Sequence, residues 1–63
     1  MDVGALASLL EEAEQHHGAY EAVAPPHHWW DWYAAYVVSR ADGNASGRAV
    51  ADAGKHTEAV LDD

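Results

Sequence analysis

A chain of 63 residues is near the lower size limit for a protein that folds alone, so we expect one helical domain spanning residues 1–63. Eleven acidic side chains against three basic ones give a formal net charge of -8, which argues against binding to nucleic-acid phosphates or to an anionic membrane surface. The sequence has no cysteine to form a disulfide, no recognisable leader and no apolar run of roughly 20 residues, and we expect a cytoplasmic protein.

The first part of the chain has the pattern of one amphipathic helix, from Val3 to about Val23. Its apolar and aromatic positions recur at spacings of three and four and form one stripe: Val3, Leu6, Leu10, Ala13, His17, Tyr20 and Ala24. Asp2 stands at the expected N-cap position. Pro25 and Pro26 should end the helix, because a proline cannot donate a backbone hydrogen bond and disfavours helical backbone in the residue before it.

A second helix is predicted from His27 or His28 to about Ala41. Asp31 in its first turn and Arg40 in its last turn both complement the helix dipole. The following segment, Asp42-Gly43-Asn44, is typical of a C-cap and turn.

A third helix is predicted from about Ser46 to Leu61, with Ser46 as its N-cap. It is the weakest of the three on intrinsic propensity, because Gly47 and Gly54 both disfavour helix. Short connections favour antiparallel neighbours. The sequence therefore predicts an all-α fold, a small three-helix assembly made of a helical hairpin hinged at Pro25-Pro26 and a weaker third helix.

The segment His27–Tyr36 contains all three tryptophans and two of the three tyrosines. On a helix, one side would hold Trp29, Tyr33, Tyr36 and Arg40, another side would hold Trp30, Ala34, Val37, Val38 and Ala41, and Trp32 would point elsewhere. One interpretation is that these rings form the core in a chain without phenylalanine. The other is that one side is an interaction surface, since Trp, Tyr and Arg dominate interface hot spots. The candidate interface residues are Trp29, Trp30, Trp32, Tyr33, Tyr36 and Arg40.

Two histidine–carboxylate pairs have spacings that suit metal binding on a helix. His17 and Glu21 are four residues apart, and His28 and Asp31 are three apart. If the first two helices are antiparallel, these four side chains could converge near the double proline and bind zinc or another divalent metal. The alternative is that His17 is a packed histidine, hydrogen-bonded to a neighbour such as Tyr33 or Asp31.

Catalytic signatures are absent from the sequence. Ser8, Ser39 and Ser46 lie in no nucleophile-elbow pattern, and the glycines form no phosphate-binding loop. We therefore expect no independent enzymatic activity and no organic cofactor.

The sequence from His16 to Glu21, followed by the tryptophan-rich stretch and then Arg40 and Gly43, resembles a short helical module of bacterial proteins. That module is found in chains labelled as bleomycin-resistance or glyoxalase-type proteins. The resemblance covers roughly residues 9 to 43, whereas the third helix departs from it. It implies that Tyr20, Glu21 and the segment Trp29–Tyr36 work as a unit.

Together these patterns predict a small acidic interaction or accessory domain. It would present part of the Trp29–Tyr36 helix to a protein partner or to a second copy of itself. The alternative is a metal- or small-ligand-binding helical module that uses His17, Glu21, His28 and Asp31.

Overall fold

A computed structural model describes residues 1–61 and contains three α-helices: α1 (Val3–Glu21), α2 (Trp29–Ala41) and α3 (Ser46–Leu61). The predicted all-α class is confirmed, and no strand is present within residues 1–61. No helix in this part of the chain has the length and apolarity needed to cross a membrane.

The helix ends follow the local signals in the sequence. Asp2 caps α1, with its Oδ1 accepting a hydrogen bond of 2.7 Å from the backbone N–H of Ala5. Gly43 follows the end of α2 with a φ of 97°, a left-handed conformation that glycine adopts without a steric penalty. For α3, the first intrahelical carbonyl belongs to Ala45, which accepts from the N–H of Ala49, so the cap position is Ala45 and the predicted N-cap Ser46 is already helical.

The link between α1 and α2 is longer than predicted. α1 ends at Glu21 in a tightened turn, in which the N–H of Val23 donates to the carbonyl of Tyr20. α2 begins at Trp29, because His28 at its N-cap has extended backbone angles. The double proline thus keeps residues on both of its sides out of the helices.

The core is built from two large rings of α2 set against small residues of its neighbours. Trp32 and Tyr36 are both 0% exposed and stack with their ring centroids 5.4 Å apart. Ala13 of α1 and Ala49 and Ala53 of α3 are equally buried around them. The prediction that Trp32 points away from the other rings is therefore corrected: four residues apart, Trp32 and Tyr36 share the core-facing side of the helix.

α2 packs more extensively against α3 than against α1. This is so although α3 has the lowest intrinsic helix propensity of the three helices. Its small buried residues let the backbones approach closely, as the pattern predicted. The contact is also polar: the Ser39 hydroxyl donates to Asp52 Oδ2 across 2.7 Å and accepts from the side-chain amide of Asn44. Tertiary packing thus outweighs the weak local preference of α3.

α1 runs antiparallel to α2 and extends beyond it. Glu12 lies opposite Arg40 in the last turn of α2, and His17 lies beside Trp32 near its beginning. Residues before Glu12 therefore lie past the end of α2. Accordingly Val3 is 86% exposed and Leu6 and Leu10 are about 40% exposed, so the predicted apolar stripe is buried only at Ala13 and His17 and half-buried at Tyr20 and Ala24.

Candidate interaction surface

The first turn of α2 carries a group of exposed rings. Trp29 is 57% exposed and Trp30 is 50% exposed. Their rings meet edge to face at 5.6 Å, and Trp29 meets Tyr33 in the same way at 5.4 Å. The His28 imidazole stacks on the Trp30 indole, with centroids 4.3 Å apart and planes 11° apart. We call these four residues, His28, Trp29, Trp30 and Tyr33, the aromatic surface.

The two indoles are exposed for different reasons. Consecutive helical residues project about 100° apart, so Trp30, two residues before the core ring Trp32, lies on a nearly opposite side of the helix. Trp29, three residues before Trp32, lies near the core-facing side but is the first residue of α2. The link before α2 does not cover Trp29 or Trp30. Two adjacent indoles that remain about half exposed form the kind of apolar patch that marks interaction sites.

The aromatic surface is anchored to the core through one ring. Tyr33 is half-buried and lies 5.0 Å from the His17 ring and 6.1 Å from the Trp32 ring. Trp29 rests on Tyr33 in turn. The exposed indole is thereby held in place before any partner arrives, which lowers the entropy lost on binding.

The electrostatic surroundings of the aromatic surface are acidic. Burial raises the pKa of Tyr33, and the negative charges of Glu14 and Glu21 raise it further. The basic side chains act elsewhere: Arg40 pairs with Glu12 at 2.7 Å and Arg48 with Asp52 at 3.0 Å. The carboxylates beside Tyr33 are thus left without an arginine partner among the described residues.

A hydrogen-bonded histidine pair ties the interhelical link to α1. His17 is 6% exposed, and its Nε2 lies 3.0 Å from Nε2 of His27. His27 Nδ1 donates to the carbonyl of Pro25 across 2.9 Å, since a carbonyl can only accept. In neutral His27 the Nε2 atom is then the acceptor, and His17 Nε2–H is the donor. His17 is therefore the packed, hydrogen-bonded histidine of the alternative interpretation, with His27 as its partner instead of Tyr33 or Asp31.

The four residues predicted as metal ligands lie in three separate environments. His17 Nδ1 is 3.7 Å from Glu21 Oε2, His28 stacks on Trp30, and Asp31 Oδ1 lies 3.3 Å from Nε2 of His56. The side chains of His28 and Asp31 have different partners, because His28 precedes the helix and the helical spacing rule does not apply to it. Within residues 1–61 no group of three or more histidine or acidic side chains is arranged to hold a metal ion.

The predicted interface residues also divide into separate groups. Trp29 and Trp30 are exposed and Tyr33 is half-buried, whereas Trp32 and Tyr36 lie wholly in the core. The inclusion of the last two is corrected, because a fully buried ring cannot contact a partner while the helices stay packed.

Arg40 is occupied within the fold. Its side chain is 31% exposed, and its guanidinium binds Glu12, which also accepts a hydrogen bond from the Tyr36 hydroxyl. Both interactions lower the pKa of Glu12. Glu12 was not among the site residues predicted from the sequence. Tyr36 and Arg40 lie four residues apart on α2, and both carry hydrogen-bond donors. This spacing could have indicated a shared acidic partner on a neighbouring helix.

An open groove of about 470 Å³ lies between α2 and α3. Its lining includes Ser39, Asp52 and His56, but the Ser39 hydroxyl donates to Asp52 while His56 pairs with Asp31. Hydrogen bonds from Ser39 and Arg48 lower the pKa of Asp52. A carboxylate stabilised in this way is a weak base, so this arrangement does not activate the serine as a nucleophile.

Comparison of the chain with protein-family models, with curated protein sequences and with solved structures finds no significant match. The surface described above is therefore interpreted from its own chemistry.

Proposed function

We propose that this protein is a small cytoplasmic interaction domain that presents the aromatic surface to a protein partner. One observation carries the proposal: two adjacent indoles are about half exposed while a third, Trp32, fills the core. The fold needs one tryptophan in its interior. The other two give the surface the residue type that contributes most to binding at protein interfaces.

The arrangement of the rings supports this role in a second way. Trp29 contacts both Trp30 and Tyr33, so the three rings form one continuous patch. A large ring with two side-chain torsions loses little entropy when it is immobilised by a partner. Contact of both indoles with a complementary pocket would remove apolar area at about 25 cal/mol per Å².

The alternative occupant is a second copy of the chain. Two copies would bring together formal charges of -8 each, so association should strengthen as salt screens their repulsion. Light scattering after size exclusion, at low and high NaCl and over a hundredfold range of concentration, measures this directly. A dimer that Trp30→Ala abolishes would assign the aromatic surface to self-association.

Site-specific photo-crosslinking tests the proposal for a different protein as partner. A photoreactive phenylalanine replaces Trp30 in one variant and Val3 in the control, since Val3 is more exposed but lies at the far end of α1. We expect a defined adduct in cells from position 30 and none from position 3. Equal adducts from both positions, or none from either together with a monomer at every salt concentration, would refute the proposal.

A further inference from the structure

We propose that the partner segment bound by the aromatic surface is basic, with arginine side chains seated on the exposed indoles and paired with Glu14 and Glu21. This inference rests on the proposed function and adds the chemistry of the partner. It follows from two independent features of the surface: an indole that stays half exposed, and neighbouring carboxylates that neither arginine of the chain pairs with.

The exposed ring surface belongs to Trp30. His28 covers one face of its indole in a parallel stack at 4.3 Å, and Trp29 meets the same ring edge to face at 5.6 Å. The Trp30 side chain is nevertheless 50% exposed, so half of its surface is available to a partner. The His28 stack shows that this indole accepts a flat nitrogen-containing group, and a guanidinium is flat, cationic and stacks on aromatic rings in the same manner. A cation over a tryptophan face is attracted by the ring quadrupole.

The negative charge lies on the neighbouring side of the surface. Glu14 and Glu21 both act on the Tyr33 hydroxyl, and Glu21 is 66% exposed. The two arginines of the chain are bound to Glu12 and Asp52, and Lys55 acts on Asp52 as well. An incoming guanidinium would therefore meet exposed carboxylates beside the rings without first displacing an arginine of this chain.

The negative charges of Glu14 and Glu21 also favour some binding partners of the aromatic surface over others. An acidic segment, or a second acidic copy of this chain, would place like charges against Glu14 and Glu21, which costs affinity. A neutral apolar segment would cover the indoles but bring no cation to either carboxylate. A basic segment satisfies both features, and long-range attraction to a chain of net charge -8 would also speed its association.

NMR titration of the full chain with two synthetic peptides tests the inference. The probes are an octapeptide of alternating arginine and serine and its counterpart with glutamate in place of arginine. The indole N–H signals of Trp29 and Trp30 should move on adding the arginine peptide, while that of the buried Trp32 should not. The glutamate peptide should leave all three unchanged.

Variants separate a specific surface from general attraction to an acidic protein. Trp30→Ala should weaken binding of the arginine peptide by about two- to fivefold, and Glu21→Gln by about twofold. Glu11→Gln is the matched control: it removes the same charge from an exposed position on α1 that does not act on Tyr33. Val38→Ala, at another exposed apolar position of α2, is the control for Trp30→Ala. Circular dichroism verifies that each variant stays helical.

Equal weakening by Glu11→Gln and Glu21→Gln, or equal binding of both peptides, would overturn the inference. So would failure of the arginine peptide to move the Trp29 and Trp30 signals. These results leave the proposed function standing if crosslinking at position 30 captures a protein through a neutral or acidic segment. Failure of the crosslinking experiment, in contrast, would remove the proposed function itself.

Discussion

Arg40 in the last turn of α2 donates from its Nε atom to Glu12 of α1 across 2.7 Å, and this ion pair is the main polar contact between the two helices. The Tyr36 hydroxyl donates to the same carboxylate. Three side chains therefore form one network at the far end of α2 from the aromatic surface. The dependence of stability on pH therefore measures how strongly this network holds α1 against α2.

Acid should weaken the fold through Glu12. Its pKa is lowered from the ordinary value of 4.5, so its contribution to stability is complete above that value and is lost as the pH falls through the lower folded pKa. We expect Glu12→Gln to lower the Tm at pH 7 by roughly 4–8 °C, the shift that about 1 kcal/mol produces in a domain of this size. The Tm of the variant should also vary less between pH 5 and pH 3. Glu11→Gln is the control, and identical pH profiles for the two variants would contradict the expectation.

Alkali should weaken the fold through Tyr36. Burial and the hydrogen bond to Glu12 raise its pKa to about 12, whereas in the unfolded chain it ionises near 10. Stability is thus complete below pH 10 and falls as the pH rises from 10 towards 12. Thermal unfolding of Tyr36→Phe should show a shallower alkaline loss than that of the native chain. Tyr20 and Tyr33, whose pKa values burial also raises, should account for the remaining slope. An unchanged alkaline slope in Tyr36→Phe would show that Tyr36 does not titrate as described.

The tryptophans should differ sharply in their effect on stability. Trp32→Ala removes a fully buried ring and should cost about 3–5 kcal/mol, enough to unfold most molecules of a domain this small. Trp30→Ala removes a half-exposed ring and should stay within about 0.5 kcal/mol of the native chain. Urea unfolding followed by circular dichroism measures both. Similar losses of unfolding free energy in the two variants would contradict the burial of Trp32 and the exposure of Trp30.

Adjacent histidines should also behave differently. His27→Ala leaves the buried Nε2–H of His17 without an acceptor and should cost about 1–3 kcal/mol. His28→Ala removes only a ring stacked on Trp30 at the surface, so its effect should be small. A double-mutant cycle between positions 17 and 27 measures their coupling. A coupling energy near zero would show that the hydrogen bond does not stabilise the link.

Most of the fold could be predicted from the sequence because its signals are local. The cap at Asp2, the double proline and Gly43 each act on neighbouring backbone, and the observed helix ends lie within two residues of the predicted ones. Which rings of α2 are buried and which are exposed could not be predicted in the same way. α2 is apolar or aromatic on most of its circumference, so its own periodicity does not indicate a core face. The small residues of the neighbouring helices indicate it, because Ala13 of α1 and Ala49 and Ala53 of α3 form the buried cluster in which Trp32 and Tyr36 lie.

Only part of the candidate site could be predicted, because the sequence indicates residue type and local spacing but not tertiary contacts. Trp29 and Trp30 were predicted as interface residues from their type alone, and the structure leaves both about half exposed. The metal site depended on helical spacing between His28 and Asp31, which the extended backbone of His28 does not provide. The His17–His27 hydrogen bond spans ten residues and the intervening link, and no periodic pattern encodes such a contact.

The extension of α1 past the end of α2 divides this helix into two regions with different opening energies. Before Glu12 the turns are held chiefly by their own backbone hydrogen bonds and the Asp2 cap, and an isolated segment of that length is only marginally helical in water. Its amides should exchange with solvent through fraying alone, whereas those around Ala13 and Trp32 should exchange only when the whole molecule opens. Hydrogen exchange along α1 would then measure both the local unfolding of its first turns and the global unfolding of the protein.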